Sequence, residues 1–180
     1  MMSWFKSSPP GDPLTVTMTG VKMGDRLIVI GCTKPEIVAQ LALKPGLSGR
    51  TCAVDADAAA SARAGDLATR EGALIEIETA PVTMLPYDAS SFDVAVLSHA
   101  LTSMAAERRI ATVAEARRLL RPGGRCIAIE PAARGGLAGL IPGTHVLPVD
   151  IETAFRAAGL RAVRRLSQGD GIMFVEGASA

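Results

Sequence analysis

Leu85 to Pro131 reads LPYDASSFDVAVLSHALTSMAAERRIATVAEARRLLRPGGRCIAIEP. After a polar turn, the apolar run Phe92 to Leu97, broken only by Asp93, predicts a strand buried on both faces. Ala105 to Leu120 follows with Ile110, Val113 and Leu120 on one face of a helix. Pro122-Gly123-Gly124 predicts its end, and Arg125 to Ile129 a second buried strand. Parallel strands need a crossover of about this length, so strand, helix and strand in this order form one unit of a parallel α/β sheet.

The same alternation extends in both directions. Upstream, Leu27 to Ile30 is an apolar strand entered through Gly24-Asp25 and left at Gly31. Thr33-Lys34-Pro35-Glu36 has the Ser/Thr-x-x-Glu form of a capping box and predicts Thr33 as the cap of a helix over about 35–44. Thr51 to Val54 makes a second strand finishing at Asp55, residues 57–70 an alanine-rich helix, and Leu74 to Glu78 a third strand. Downstream of Glu130, a loop rich in glycine and proline runs to about Leu147 and carries His145; loops of this length are often lids. A helix over about 150–158, a strand at Arg161 to Leu166, a Gln168-Gly169-Asp170-Gly171 turn and a strand at Ile172 to Glu176 complete the chain. The expected fold is α/β, a Rossmann-like three-layer sandwich around a seven-stranded, mostly parallel sheet whose last strand is antiparallel.

With 180 residues, 48% of them hydrophobic, the chain has enough apolar material for one domain and too little length for two. That domain is expected over 14–177, after a flexible tail at 1–13 rich in Ser, Pro and Gly, with Gly177 to Ala180 frayed. A net charge of +1 offers no field for nucleic acid, and 3% aromatic residues leave few stacking platforms for bases. No run of about 18 apolar residues predicts a membrane span. Cys32, Cys52 and Cys126 lack C-x-x-C spacing and suit a reducing cytoplasm; no metal-ligand pattern is present. Arg108, Arg109, Arg117, Arg118 and Arg121 read as a solvated cationic face, with the later ones offsetting the helix macrodipole.

Two pieces, LPYDASSFDVAVLSHAL and LLRPGGRCIAIEP, resemble segments of class I S-adenosylmethionine-dependent methyltransferases, of the small type-11 kind that includes ubiquinone and menaquinone biosynthesis methyltransferases. The resemblance runs from about Met23 to Gly177. It implies S-adenosylmethionine as cofactor and methyl transfer to a small-molecule acceptor. By the same resemblance Asp55, with Ala56 beside it, would accept the ribose hydroxyls, Gly31 and Cys32 would line the methionine side, and Thr79, Ala80 and Val82 the adenine. Ser98 and His99 would form the reaction edge, with His99 as general base. An aspartate after a strand also serves to start a turn, and a histidine in such a place also serves in packing.

The first loop departs from the family pattern. Where the family has an acid in the first strand and then Gly-x-Gly-x-Gly, this chain has Val29, Gly31, Thr33 and Pro35, and Pro81 takes the place of an aspartate near the adenine. The loop matches neither a phosphate-binding Walker pattern nor a dinucleotide fingerprint. The alternative reading is therefore a catalytically inactive member of the fold that serves as a binding or assembly module. Short segments ahead of the first strand and after the fifth suit an open site for a bulky acceptor, a site completed by a second subunit of a homo-oligomer, or no turnover.

Overall fold

The computed structural model describes residues 13–132, 150–169 and 171–180. The tail at 1–12, the loop at 133–149 with His145, and Asp170 of the expected turn lie outside the described residues. In chain order the elements are α1 (Pro13–Thr17), β1 (Arg26–Ile30), α2 (Pro35–Ala42), β2 (Arg50–Asp55), α3 (Ala58–Arg70), β3 (Glu76–Thr79), β4 (Phe92–Ser98), α4 (Ala106–Leu119), β5 (Leu120–Pro131), α5 (Ile151–Ala157), β6 (Arg161–Gly169) and β7 (Ile172–Ala178).

All seven strands form one sheet in the order β3-β2-β1-β4-β5-β7-β6. β1 to β5 pair in parallel, whereas β7 runs antiparallel to both β5 and β6, so it is the reversed strand. Side chains of a strand alternate between faces, and in β1 both sets are buried. Leu27 and Val29 join Val38 and Leu41 of α2 and Ala60 and Ala64 of α3. Ile28 and Ile30 join Val113, Ala116 and Leu119 of α4 and Ile151 and Phe155 of α5 on the other face. Two helical layers therefore cover the sheet, as the continuous apolar strands require. The chain leaves β1 toward β2 on one side and returns to β4 on the other. That reversal opens a crevice at the carboxyl edge of the strands, where such sheets bind ligands.

Four local expectations are revised by the structure. Lys34, not Thr33, caps α2, and no side chain completes a capping box. The Lys34 carbonyl already accepts from Ile37 and Val38, at 3.1 and 3.3 Å, which places Thr33 one residue too early to cap. Pro122-Gly123-Gly124 does not separate helix from strand. α4 ends at Leu119, Leu120 is already extended and buried opposite Phe92, and the next pair is Val94 with Arg125. Residues 121–124 are thus a bulge opposite the single residue Asp93, where Gly123 takes a φ of +75°. The carboxyl end is held rather than frayed: β7 reaches Ala178, and Ser179 exchanges two backbone hydrogen bonds with Gly123 and Gly124. The solvated face of α4 is less free than expected: Arg108, Arg117 and Arg118 are exposed, but Arg109 donates to the Leu101 and Met104 carbonyls, and Arg118 to the Leu85 and Tyr87 carbonyls and to Glu115 of its own helix.

Asp93, the one charge inside an apolar strand, serves this bulge. Its carboxylate accepts from the Arg26 amide at 2.7 Å and pairs with the Arg26 and Arg121 guanidinium groups at 3.3 and 2.6 Å. Burial works against the charge, but these donors prevail and hold the Asp93 carboxyl below its usual value of 3.8. Asp93→Asn should lower unfolding free energy by about 1–2 kcal/mol at neutral pH. A depressed folded value stabilises above the unfolded one, so the wild-type advantage should shrink as pH falls below about 4. Urea titrations of both proteins at neutral and acid pH measure it; an advantage that persists unchanged in acid would contradict the assignment.

Candidate active site

At the carboxyl edge of the central strands lies a cleft of about 360 Å³, within the usual range for small-molecule sites. Gly31 and Thr33 supply the wall after β1, Asp55 and Ala56 the wall after β2, and Val82 the segment after β3. The segment after β4 contributes His99, Ala100, Ser103 and Met104, and the start of α4 contributes Ala105 and Arg108. Of the residues expected at the cofactor, Gly31, Asp55, Ala56, Val82 and His99 share this cleft. Cys32, Thr79, Ala80 and Ser98 are not on its wall: Thr79 is exposed at the end of β3, Ala80 packs against the core, and Cys32 and Ser98 are fully buried.

Asp55 is fixed by backbone donors. Its Oδ2 accepts from the Cys32 amide at 2.7 Å and its Oδ1 from the Asp57 amide at 3.0 Å. A carboxylate has about four lone-pair positions, so roughly two remain for hydroxyl groups in the cleft. Cys32 enters this arrangement through its amide. Burial, reinforced by the Asp55 charge, pushes the Cys32 thiol up to about 12, so it is no nucleophile at neutral pH.

Gly31 has a physical reason to be glycine. Its φ is +100°, and a Cβ would stand 2.4 Å from the Ser98 carbonyl oxygen, an approach no side chain tolerates. Glycine is thus required where β1 and β4 leave the sheet in contact. Thr33, two residues on, is exposed and lines the cleft. Val29 is buried among Leu27, Ala53 and the α2 face, where a carboxylate would lack partners.

His99 has a φ of +52°, a conformation that histidine tolerates better than most residues. Its amide donates to the Ile129 carbonyl at 2.8 Å. Burial, with a contribution from the Lys34 charge, lowers its imidazole below 6.5 and keeps it neutral at neutral pH. Its Nδ1 and the Ser98 Oγ are buried without a hydrogen-bond partner among the described residues. Such atoms are uncommon in native interiors.

One residue that sequence reading passed over organises the segment. Glu130, at the end of β5, is fully buried. Its carboxylate accepts from the amides of Ala100, Leu101 and Thr102 at 2.9, 2.9 and 3.1 Å, and from the Thr102 hydroxyl at 2.6 Å. Burial raises its carboxyl while the Thr102 hydroxyl and the three amides oppose the rise. A single charged residue after an apolar strand, at the ligand-binding edge, was the available signal.

Residues 28–128 match the family model described as a methyltransferase domain. That is more than half of the 180 residues, and the chain belongs to this family. Solved structures repeat the fold at low identity. A SAM dependent methyltransferase from Aquifex aeolicus is 17% identical over 94% of this chain and 90% of that chain, with a TM-score of 0.77. The YcgJ protein from Bacillus subtilis is 15% identical over 92% and 96%, with a TM-score of 0.68. The [4+2]-cyclase SpnF is 16% identical over 92% and 78%, with a TM-score of 0.70, so the fold alone does not fix a reaction. No curated protein matches the chain. Among the described residues no helix is long and apolar enough to cross a membrane.

Two outcomes follow from this geometry. Glu130→Gln offers one acceptor oxygen where four donors converge, and should cost roughly 2–4 kcal/mol in denaturant titrations; an unchanged midpoint would show that the clamp is incidental. The unfolded chain binds a proton at His99 near 6.5 while the folded chain resists it, so stability should fall as pH drops below that value. His99→Asn, which tolerates the same backbone, should lose less stability than wild type between about pH 7.5 and pH 5. Equal losses in the two proteins would show that the imidazole is not held neutral.

Proposed function

We propose that this chain is an S-adenosylmethionine-dependent methyltransferase acting on a small-molecule acceptor. The observation that carries the proposal is the cleft at the carboxyl ends of β1, β2 and β4, with the Asp55 carboxylate fixed at its edge by two amides and still able to accept. The residues fit an adenosyl group. Asp55 would take the ribose hydroxyls, Val82 would give the adenine an apolar wall with Thr79 and Ala80 at its edge, and Gly31, Thr33 and the Cys32 backbone would border the methionine side. When bound, the cofactor supplies an electrophilic methyl group on a sulfonium.

What the chain contributes is orientation, exclusion of water and one proton acceptor. Holding donor and acceptor in line can supply about 7–11 kcal/mol of the barrier reduction in favourable systems. Ala100, Val82 and Met104 present apolar surface to a bound guest. His99, neutral at the wall, takes the proton of an O–H or N–H acceptor as the new bond to carbon forms. Ser98 lies beneath this edge, its hydroxyl without a partner among the described residues. The three free, buried cysteines support a place in the reducing cytoplasm.

A second reading keeps a specific motive. Thr33 and Pro35 replace glycines and Val29 replaces an acid, which favours a fold retained as a binding or assembly module. Calorimetric titration with S-adenosylmethionine and S-adenosylhomocysteine separates the two. Heat of binding and a rise in melting temperature are expected for the enzyme. Asp55→Asn, which keeps an oxygen for the Cys32 amide, should weaken binding about tenfold or more. Neither heat nor thermal stabilisation at millimolar ligand would leave the module.

A further inference from the structure

The five arginines in and just after α4 have different employments. Arg109 and Arg118 hold the carbonyls of neighbouring segments, and Arg121 pairs with Asp93. The Arg117 guanidinium lies against Gly159. Arg108 alone of the five lines the cleft; its side chain is exposed and has no hydrogen bond or ion pair to any described residue.

The cleft is electrically lopsided. Asp55 provides a carboxylate at the wall after β2, and Arg108 a guanidinium at the wall formed by α4. Lys34 adds a second positive charge, close enough to be felt at His99. Glu130, which holds the segment after β4, is buried and already receives four donors. Glu107 stands beside Arg108 in sequence but is not part of the cleft wall. Beside Arg108 a neutral group would leave the guanidinium merely hydrated, and a cationic group would be repelled. A carboxylate matches its planar fork of donors in two parallel hydrogen bonds.

We propose that Arg108 is the carboxylate-binding residue of the cleft, receiving an acid group of the ligand that lies along Ser103 and Met104. The proposal rests on the methyltransferase reading and narrows it. Two carboxylates could come there, one on the methyl acceptor and one on the methionine tail of the cofactor. The acceptor is the source that fits Ser103, Met104 and Arg108 better, because they come from the segment after β4 and from α4, on the other side of β1 from Asp55 and Ala56. A small acid with an apolar body would meet Met104 and Ala100 with its body and Arg108 with its charge.

The test uses Arg108→Gln, which keeps much of the side chain and removes the charge, with Arg108→Lys as a partial rescue. S-adenosylhomocysteine and its decarboxylated analogue, S-adenosyl-3-thiopropylamine, are titrated calorimetrically into each protein. Then 3-phenylpropionate and 3-phenylpropionamide are titrated by NMR at saturating S-adenosylhomocysteine. If the acceptor is the source, Arg108→Gln leaves S-adenosylhomocysteine affinity unchanged. Wild type then binds the acid about tenfold more tightly than the amide, and that preference disappears in the variant and partly returns with lysine. If the cofactor tail is the source, Arg108→Gln weakens S-adenosylhomocysteine about tenfold and leaves the amine analogue untouched; this keeps the carboxylate role and overturns the acceptor assignment. Equal acid and amide binding in wild type, with S-adenosylhomocysteine affinity unaltered in the variant, overturns the proposal. If wild type binds neither nucleoside, the methyltransferase reading has failed, and the acid and amide titrations on the unliganded protein still decide for or against Arg108.

Discussion

The Glu130 carboxylate collects the consecutive amides that the chain presents after β4, together with the Thr102 hydroxyl. Removing an unpaired carboxylate from water costs several kcal/mol, and in a low-dielectric interior each charge-assisted hydrogen bond is correspondingly strong. Four donors reduce that cost only in one arrangement of residues 100–102, so the segment has little freedom. The neighbouring contacts extend the constraint across the sheet edge. His99 is tied to Ile129, Gly31 packs on the Ser98 carbonyl, and Asp55 holds the Cys32 amide. Two carboxylates and one close backbone contact thereby fix the exits of β1, β2, β4 and β5 relative to one another.

The opposite edge of the sheet is built in another way. There Asp93 gathers Arg26 and Arg121, and Arg50 pairs with Glu76 while lying near the Tyr87 and Phe92 rings. Charges at that edge satisfy one another. At the cleft edge Asp55 keeps accepting capacity and Arg108 has no described partner. The difference separates the closed end of the domain from the end equipped for ligands.

Most of the architecture could be read from periodicity. β1, β2, β4 and the core of β5 are apolar runs too short for helices and bounded by turn residues, and the reversed β7 was signalled by the glycine-flanked turn before it. Boundaries failed where tertiary contact overrode local preference. Leu120 leaves α4 because burial against Phe92 outweighs another helical residue, and Thr33 loses the cap because Lys34 already accepts the first helical bonds. At the site, Asp55 and Gly31 were legible because their places follow from strand ends. Glu130 and Arg108 were not: the first acts on amides 28 to 30 residues away, and the second is one of several similar arginines until the turn of α4 sets it apart.

The three thiols have a practical consequence. Cys32, Cys52 and Cys126 are all free and buried, and burial shifts each toward the protonated form, Cys52 to about 11. A native molecule presents almost no thiolate to an alkylating or disulfide-forming reagent. Cys52 and Cys126 lie in strands of the central sheet and Cys32 just beyond β1, so modification must wait for that region to open. The chain therefore carries its own reporter of sheet opening, in which the rate of thiol labelling counts how often the core is exposed.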